Sequence, residues 1–132
     1  MRHLADEAGL GGEILTASAA TSYEEIGNPA YPPMVKLLAE RGIDCRAHRA
    51  RRLTAEDGLN YDLIAGMDYP IIRAAGRILG ADHAGKIRLL LSFAGEDREI
   101  SDPWYSGNFT AAMQDIDRGC RALLASLTGR PE

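Results

Sequence analysis

The sequence predicts an α/β domain: a three-layer α/β/α arrangement in which helices cover both faces of a short, mainly parallel sheet. Three observations lead there. Apolar runs of strand length alternate with segments whose apolar residues recur at helical spacing. Glycine- and proline-rich turns separate them. That alternation also favours right-handed crossovers, which place helices on the two faces of a parallel sheet. At 132 residues the chain fits one domain spanning 1–132, and it holds no internal repeat, linker or low-complexity tract.

Leu4, Ala8 and Leu10 predict a first helix ending at Gly11-Gly12, with no capping residue before it. Residues 13–18 read as a short strand. Residues 21–29 form a loop, with Gly27-Asn28-Pro29 as strong turn chemistry. Pro32-Pro33 open a helix through Met34, Leu37 and Leu38 to Gly42, since proline tolerates the first helical turn. Thr54-Ala55-Glu56-Asp57 resembles a capping box with Asp in place of Glu, opening a short helix. Residues 62–67 read as a buried strand. Asp68 follows as an N-cap, with Pro70 just inside a helix that places Ile71, Ala75 and Ile78 on one face. Residues 87–93 form the most regular apolar strand, the third in the sheet. The last helix carries Phe109, Met113, Ile116, Cys120, Leu123, Leu124 and Leu127 as one stripe, where Cys120 reads as core.

Hydrophobic residues make up 45% and charged residues 26% of the chain, which fits a globular protein and excludes a disordered one. The net charge of −4 gives no footprint for nucleic acid. No apolar run approaches the ~20 residues of a membrane span, and the polar N-terminus is unlike a secretion signal. A cytoplasmic protein is expected. Arg46, Arg49, Arg51 and Arg52 form a basic run, readable as a solvated turn or as an anion-facing patch. Cys45 and Cys120 lack metal-ligand spacing and imply neither a zinc site nor a disulfide framework.

Asp102-Pro103-Trp104-Tyr105 is the segment richest in chemistry. An aspartate in an aromatic-lined site can hold a proton near neutral pH and give it to a leaving group. The two aromatics could wall a flat substrate ring. An Asp-Pro turn with aromatics packed on its rim fits the same residues, and they alone leave both readings open.

Five motifs in order carry a resemblance. They are Ser18-Ala19-Ala20-Thr21, Ile26-Gly27-Asn28-Pro29, the run His48-Arg49-Ala50-Arg51-Arg52-Leu53-Thr54, the run Asp62-Leu63-Ile64-Ala65-Gly66-Met67-Asp68, and Asp102-Pro103-Trp104-Tyr105. Together, from Met1 to Leu127, they resemble the low-molecular-weight protein tyrosine phosphatases. The resemblance implies the phosphotyrosine phosphatase I-like fold and hydrolysis of a phosphotyrosine protein or small aryl phosphate through a cysteinyl-phosphate, without metal or cofactor. It implies Asp102 as general acid and then base. Trp104 and Tyr105 flank the site mouth, although the family usually has Tyr at the first of them. Glu24 lies on the opposite wall, where many relatives have an aromatic. His48 and Ser18 support the phosphate loop, and Asp68 is mainly structural.

The family's first strand and its Cys-x5-Arg-Ser loop do not occur in the 132 residues. That loop cradles phosphate with backbone N–H groups, ionises the cysteine and binds two phosphoryl oxygens through the arginine. Met1 resembles an internal methionine of the family, and the chain as given is expected to be inactive. A non-catalytic relative acting as a binding module is the alternative. The literal match Cys45-x5-Arg51 is expected to be a decoy, because it follows a helix end and holds no glycine. Two cysteines outside the expected loop also fit poorly with the related arsenate reductases. A sheet without its interior strand leaves unpaired backbone groups. The chain is therefore expected to be marginally stable, re-pairing its strands or self-associating through open edges.

Overall fold

In the computed structural model of the chain, two short parallel strands organise the architecture; residues 1–21, 27, 32–46, 49–100 and 107–129 are described. Strand β1 (Ile64–Gly66) pairs with β2 (Ile87–Leu89), setting Ile64 opposite Ile87 and Gly66 opposite Leu89. Around them lie α1 (Arg2–Glu7), α2 (Pro32–Glu40), α3 (Asp57–Asn60), α4 (Tyr69–Leu79) and α5 (Phe109–Thr128). Two 3-10 turns, Ala81–Lys86 and Leu90–Ala94, flank β2.

Side chains leaving a strand point alternately to its two faces, and here they feed two cores. Ile64 and Ile87 pack with Leu53 and with Ala75, Ile78 and Leu79 of α4. Leu63 and Met67 pack with Leu90, Leu91 and Ile100, with Ala112, Cys120 and Leu123 of α5, and with Met1 and Leu4 at α1. The result is the expected order of layers, with α4 on one face and α1 and α5 on the other.

Local chemistry fixes the helix ends. Asp68 Oδ1 accepts the Ile71 N–H at 2.9 Å, and Pro70 sits in the first turn of α4, as the sequence predicts. The buried positions of α4 are Ala75 and Leu79, while Ile71 stays exposed. Asn108 Oδ1 caps α5 through the Ala111 N–H at 3.0 Å. Along α5, Met113, Cys120 and Leu123 are buried as expected, but Leu127 is exposed.

Three expectations need correction. The first helix stops at Glu7, before Gly11-Gly12. Gly9 takes φ 75°, its N–H reaches Asp6 O, and the Leu10 N–H reaches Ala5 O. This six-to-one, five-to-two pairing closes a helix at the first available glycine. Gly42 closes α2 in the same way, with Ile43 N–H on Leu38 O.

Residues 13–18 form no strand. A strand exists through its partner, and this segment's pairing reduces to one parallel bridge just beyond it. There Ala20 N–H donates to Arg51 O and Leu53 N–H to Ala20 O, both at 2.7 Å. Leu15 is left 80% exposed.

The strand expected over 87–93 ends at Leu89, and because 13–18 forms none, the described residues hold two strands where three were expected. From Leu90 the chain winds into a 3-10 turn, and the Ser92 hydroxyl donates to Leu89 O at 2.7 Å. The winding drives Leu91 to full burial and lays Leu90 on α5.

Gly119 explains that contact. A Cβ there would lie 2.6 Å from Leu90 Cγ, so glycine persists inside α5 although helix propensity disfavours it. Gly119→Ala is expected to destabilise the fold by about 1–3 kcal/mol, overpacking outweighing the propensity gain. Urea denaturation measures this, and an unchanged or higher midpoint contradicts the packing assignment.

Candidate functional site

Ligands of open α/β sheets bind beyond the carboxyl ends of the strands, and the chain segment of interest starts there. Immediately after β1, Met67 O accepts the N–H of Ile100 at 2.8 Å. Ile100 is buried in the α5 core. It is the last described residue before 101–106, the segment holding Asp102, Trp104 and Tyr105. On the far side, Gly107 and the Asn108 cap lead directly into α5.

The approach to Ile100 is tied on two sides with a period of two. Glu96 and Arg98 face α5. Arg98 Nη2 and Nη1 lie 2.9 and 3.2 Å from the two Asp115 oxygens, and its Nε lies 3.1 Å from Glu96. Arg118 bridges Glu96 at 2.7 Å and Asp115 at 3.4 Å. The Arg98 hydrogen bonds hold the Asp115 carboxyl below the usual carboxylate range. Asp97 and Glu99 instead meet Tyr69 at the start of α4. Glu99 Oε2 accepts the Tyr69 N–H at 3.0 Å, and Asp97 accepts the Tyr69 hydroxyl. That second bond raises the phenol above its ordinary value. Sequence reading missed this framework. Its signal was the charged tetrad Glu96-Asp97-Arg98-Glu99 just before Ile100.

Three arginines of the basic run are engaged by their own chain. Asp44 chelates Arg46, with Nε and Nη2 each 2.9 Å from a carboxylate oxygen, and these bonds lower the Asp44 pKa to about 2. Arg49 Nη1 donates to Arg46 O at 2.9 Å. Arg51 grips Asp57 through two bonds of 3.1 and 3.2 Å. Asp57 is only 6% exposed. It also accepts the Thr54 N–H at 2.8 Å, the acidic arm of the box foreseen at Thr54. Bonds from Arg51, then from Thr54, hold the Asp57 carboxyl below its usual range against the opposing effect of burial.

This arrangement bears on the Cys45-x5-Arg51 match. Phosphoryl recognition needs an arginine whose fork is free for two oxygens. The Arg51 fork is filled by a carboxylate of its own chain, and Cys45 sits half-buried in the turn after α2.

Among the expected site residues, Ser18 lies exposed in the 15–19 segment, just before the Ala20 bridge. Asp102, Trp104, Tyr105, Glu24 and His48 lie outside the described residues. Ser92, Gly95, Glu96 and Asp97 line an open depression of about 290 Å³. Its two carboxylates have the wrong sign for a phosphoryl group. Among the described residues no His, Cys, Asp and Glu cluster could hold a metal, and no helix is long and apolar enough to cross a membrane.

The family model described as low molecular weight phosphotyrosine protein phosphatase matches residues 1–131. The low molecular weight protein-tyrosine-phosphatase YfkJ of Bacillus subtilis is 33% identical over 128 residues, covering 96% of this chain and 82% of that protein. Its crystal structure superimposes with a TM-score of 0.91 at 34% identity, over 97% of this chain and 82% of that one. The human low molecular weight phosphotyrosine protein phosphatase is 36% identical over 112 residues, 81% of this chain and 70% of that protein. Vibrio vulnificus Wzb, solved in complex with benzylphosphonate, gives a TM-score of 0.76 at 28% identity, over 85% of this chain and 79% of that one.

Because Asp57 is held low when folded, its contribution is complete above the unfolded aspartate value of about 3.9 and is lost as pH falls through the folded value. Asp57→Asn is expected to cost about 1–3 kcal/mol near neutral pH. The gap to wild type should begin to narrow below about pH 4 and close as pH falls through the folded value. Denaturation at several pH values reads it, and a gap independent of pH contradicts the ion pair.

Proposed function

The chain belongs to the low molecular weight phosphotyrosine protein phosphatase family, and from that premise we propose that its site serves phosphotyrosine hydrolysis while these 132 residues alone do not perform it. The observation that carries the second half is the Arg51–Asp57 pair. Cys45-x5-Arg51 is the only Cys-x5-Arg match in the sequence, and its arginine is already engaged.

In the proposed division of labour, Asp102 donates a proton to the tyrosyl oxygen and later takes one from water. Trp104 and Tyr105 wall the ring, with Glu24 opposite. His48 and Ser18 support a phosphate loop. The substrate class is a phosphotyrosine protein or small aryl phosphate in the cytoplasm. The benzylphosphonate held by the Vibrio relative supports a ring-bearing phosphoryl compound. The framework around Ile100 supports the placement, because it launches the Asp102 segment from the carboxyl end of β1.

What the 132 residues lack in this reading is the nucleophile with its ring of amides. General-acid help typically contributes only about 10²–10⁴-fold. Enzymatic phosphate-monoester hydrolysis needs far more, supplied mainly by the nucleophile and by stabilised oxyanion charge. The internal pairing of Arg46 and Arg51 also weakens the rival reading of the basic turn as an anion-binding module.

The purified chain is expected to hydrolyse p-nitrophenyl phosphate no faster than buffer, with Cys45→Ser and Arg51→Lys indistinguishable from wild type. A rate that disappears in Cys45→Ser overturns the proposal.

A further inference from the structure

We infer that the outer face of α4 docks an acidic stretch of a protein partner through Arg73 and Arg77. The inference rests on the phosphatase reading only for the partner's identity, a phosphotyrosine protein with acidic residues beside the phosphorylated tyrosine. The face itself is read from charge and geometry.

The chain carries a net charge of −4, yet residues 69–89 hold Arg73, Arg77, Lys86 and Arg88 against one acid, Asp82. Other arginines are neutralised by the chain's own carboxylates. Asp117 pairs with Arg41 and Arg121, Asp44 with Arg46, Asp57 with Arg51, and Asp115 with Arg98 and Arg118. Arg73 and Arg77 are exposed and form no ion pair among the described residues. Each is instead the other's neighbour at a spacing of four, where like charges destabilise a helix. The last turn of a helix favours a cation, which accounts for Arg77 but not for Arg73.

Both arginines lie opposite the buried Ala75 and Leu79, on the same face as Tyr69, whose ring is 39% exposed. Tyrosine and arginine are the residue types that dominate binding energy at protein interfaces. Asp97 and Glu99 hold Tyr69, so acids close the N-terminal end of the face and the two arginines set the charge that a ligand must bring. One helical turn separates them, about 6 Å along the axis. Two residues of extended chain advance about 6.6 Å. The matching ligand is therefore an extended segment with carboxylates at alternate positions. Because α4 starts just after β1, that segment runs away from the strand ends, where ligands of such sheets bind.

The test is titration of the ¹⁵N-labelled chain with a short peptide alternating glutamate and alanine. Saturable shifts are expected along α4, weakening as salt screens the charges. Affinity should fall about tenfold in the Arg73→Glu/Arg77→Glu variant, through the loss of two exposed ion pairs. That variant should keep the wild-type urea midpoint, and an alternating lysine and alanine peptide should not bind. No saturable shift, an undiminished affinity in the variant, or equal binding of a short oligouridylate overturns the inference. A lowered midpoint assigns the arginines to the fold and overturns it as well. The peptide carries no phosphate and p-nitrophenyl phosphate carries no peptide, so a failure of docking and a failure of the phosphatase reading appear in different measurements.

Discussion

The bond between Arg51 and the buried carboxylate of Asp57 is the constraint around which this molecule is arranged. A charge removed from water must be paired and hydrogen-bonded, and Asp57 obtains both from one short stretch of chain. Arg51 O receives the Ala20 N–H, and Leu53 returns its N–H to Ala20 O. Leu53 itself lies under α4. On the other side, Gly58 O of α3 accepts Lys86 Nζ at 2.6 Å, which joins α3 to the turn before β2. One ion pair thus ties together the 15–20 segment, the basic turn, α3 and the α4 layer.

The same bond limits the chemistry. Phosphoryl transfer through a cysteine needs a guanidinium facing the phosphate, amides converging on it and an ionised thiol. Arg51 satisfies a structural carboxylate instead, and Arg46 is occupied by Asp44. What the described part of the chain does supply is placement. The carboxyl end of β1 holds Ile100 through Met67 O, and the Asn108 cap holds the start of α5, so the residues on either side of 101–106 are both anchored.

Much of the fold was legible from the order of residues. The stripe of α5, the Asp68 cap and the alternation of strand and helix all follow from local rules that tertiary context left intact. The errors have a common cause: strand length depends on partners that local sequence does not contain. Residues 87–93 are apolar apart from Arg88 and Ser92, and nothing in that run says that Leu90 must turn to meet Gly119. Residues 13–18 have strand composition, yet their pairing comes down to Ala20. The candidate site was legible only in part. Thr54 and Asp57 were read as a capping pair, but the arm from Arg51 was hidden inside a basic run that read as a solvated turn or as an anion-facing patch. Nothing beside Tyr69 in the sequence pointed to its contacts, because its carboxylate partners lie nearly thirty positions away.

On the proposed reading, the Arg51 fork of the Cys45-x5-Arg51 match is held by Asp57 and is not open to a phosphoryl oxyanion. Titrating the ¹⁵N-labelled chain with orthovanadate, a mimic of the pentavalent transition state, tests it most directly. The expected result is no saturable shift at the amides of Cys45 through Arg51, and an Arg51 guanidinium that still reports its contact with Asp57. Saturable shifts centred on Cys45 and Arg51, with that contact released, would contradict the account.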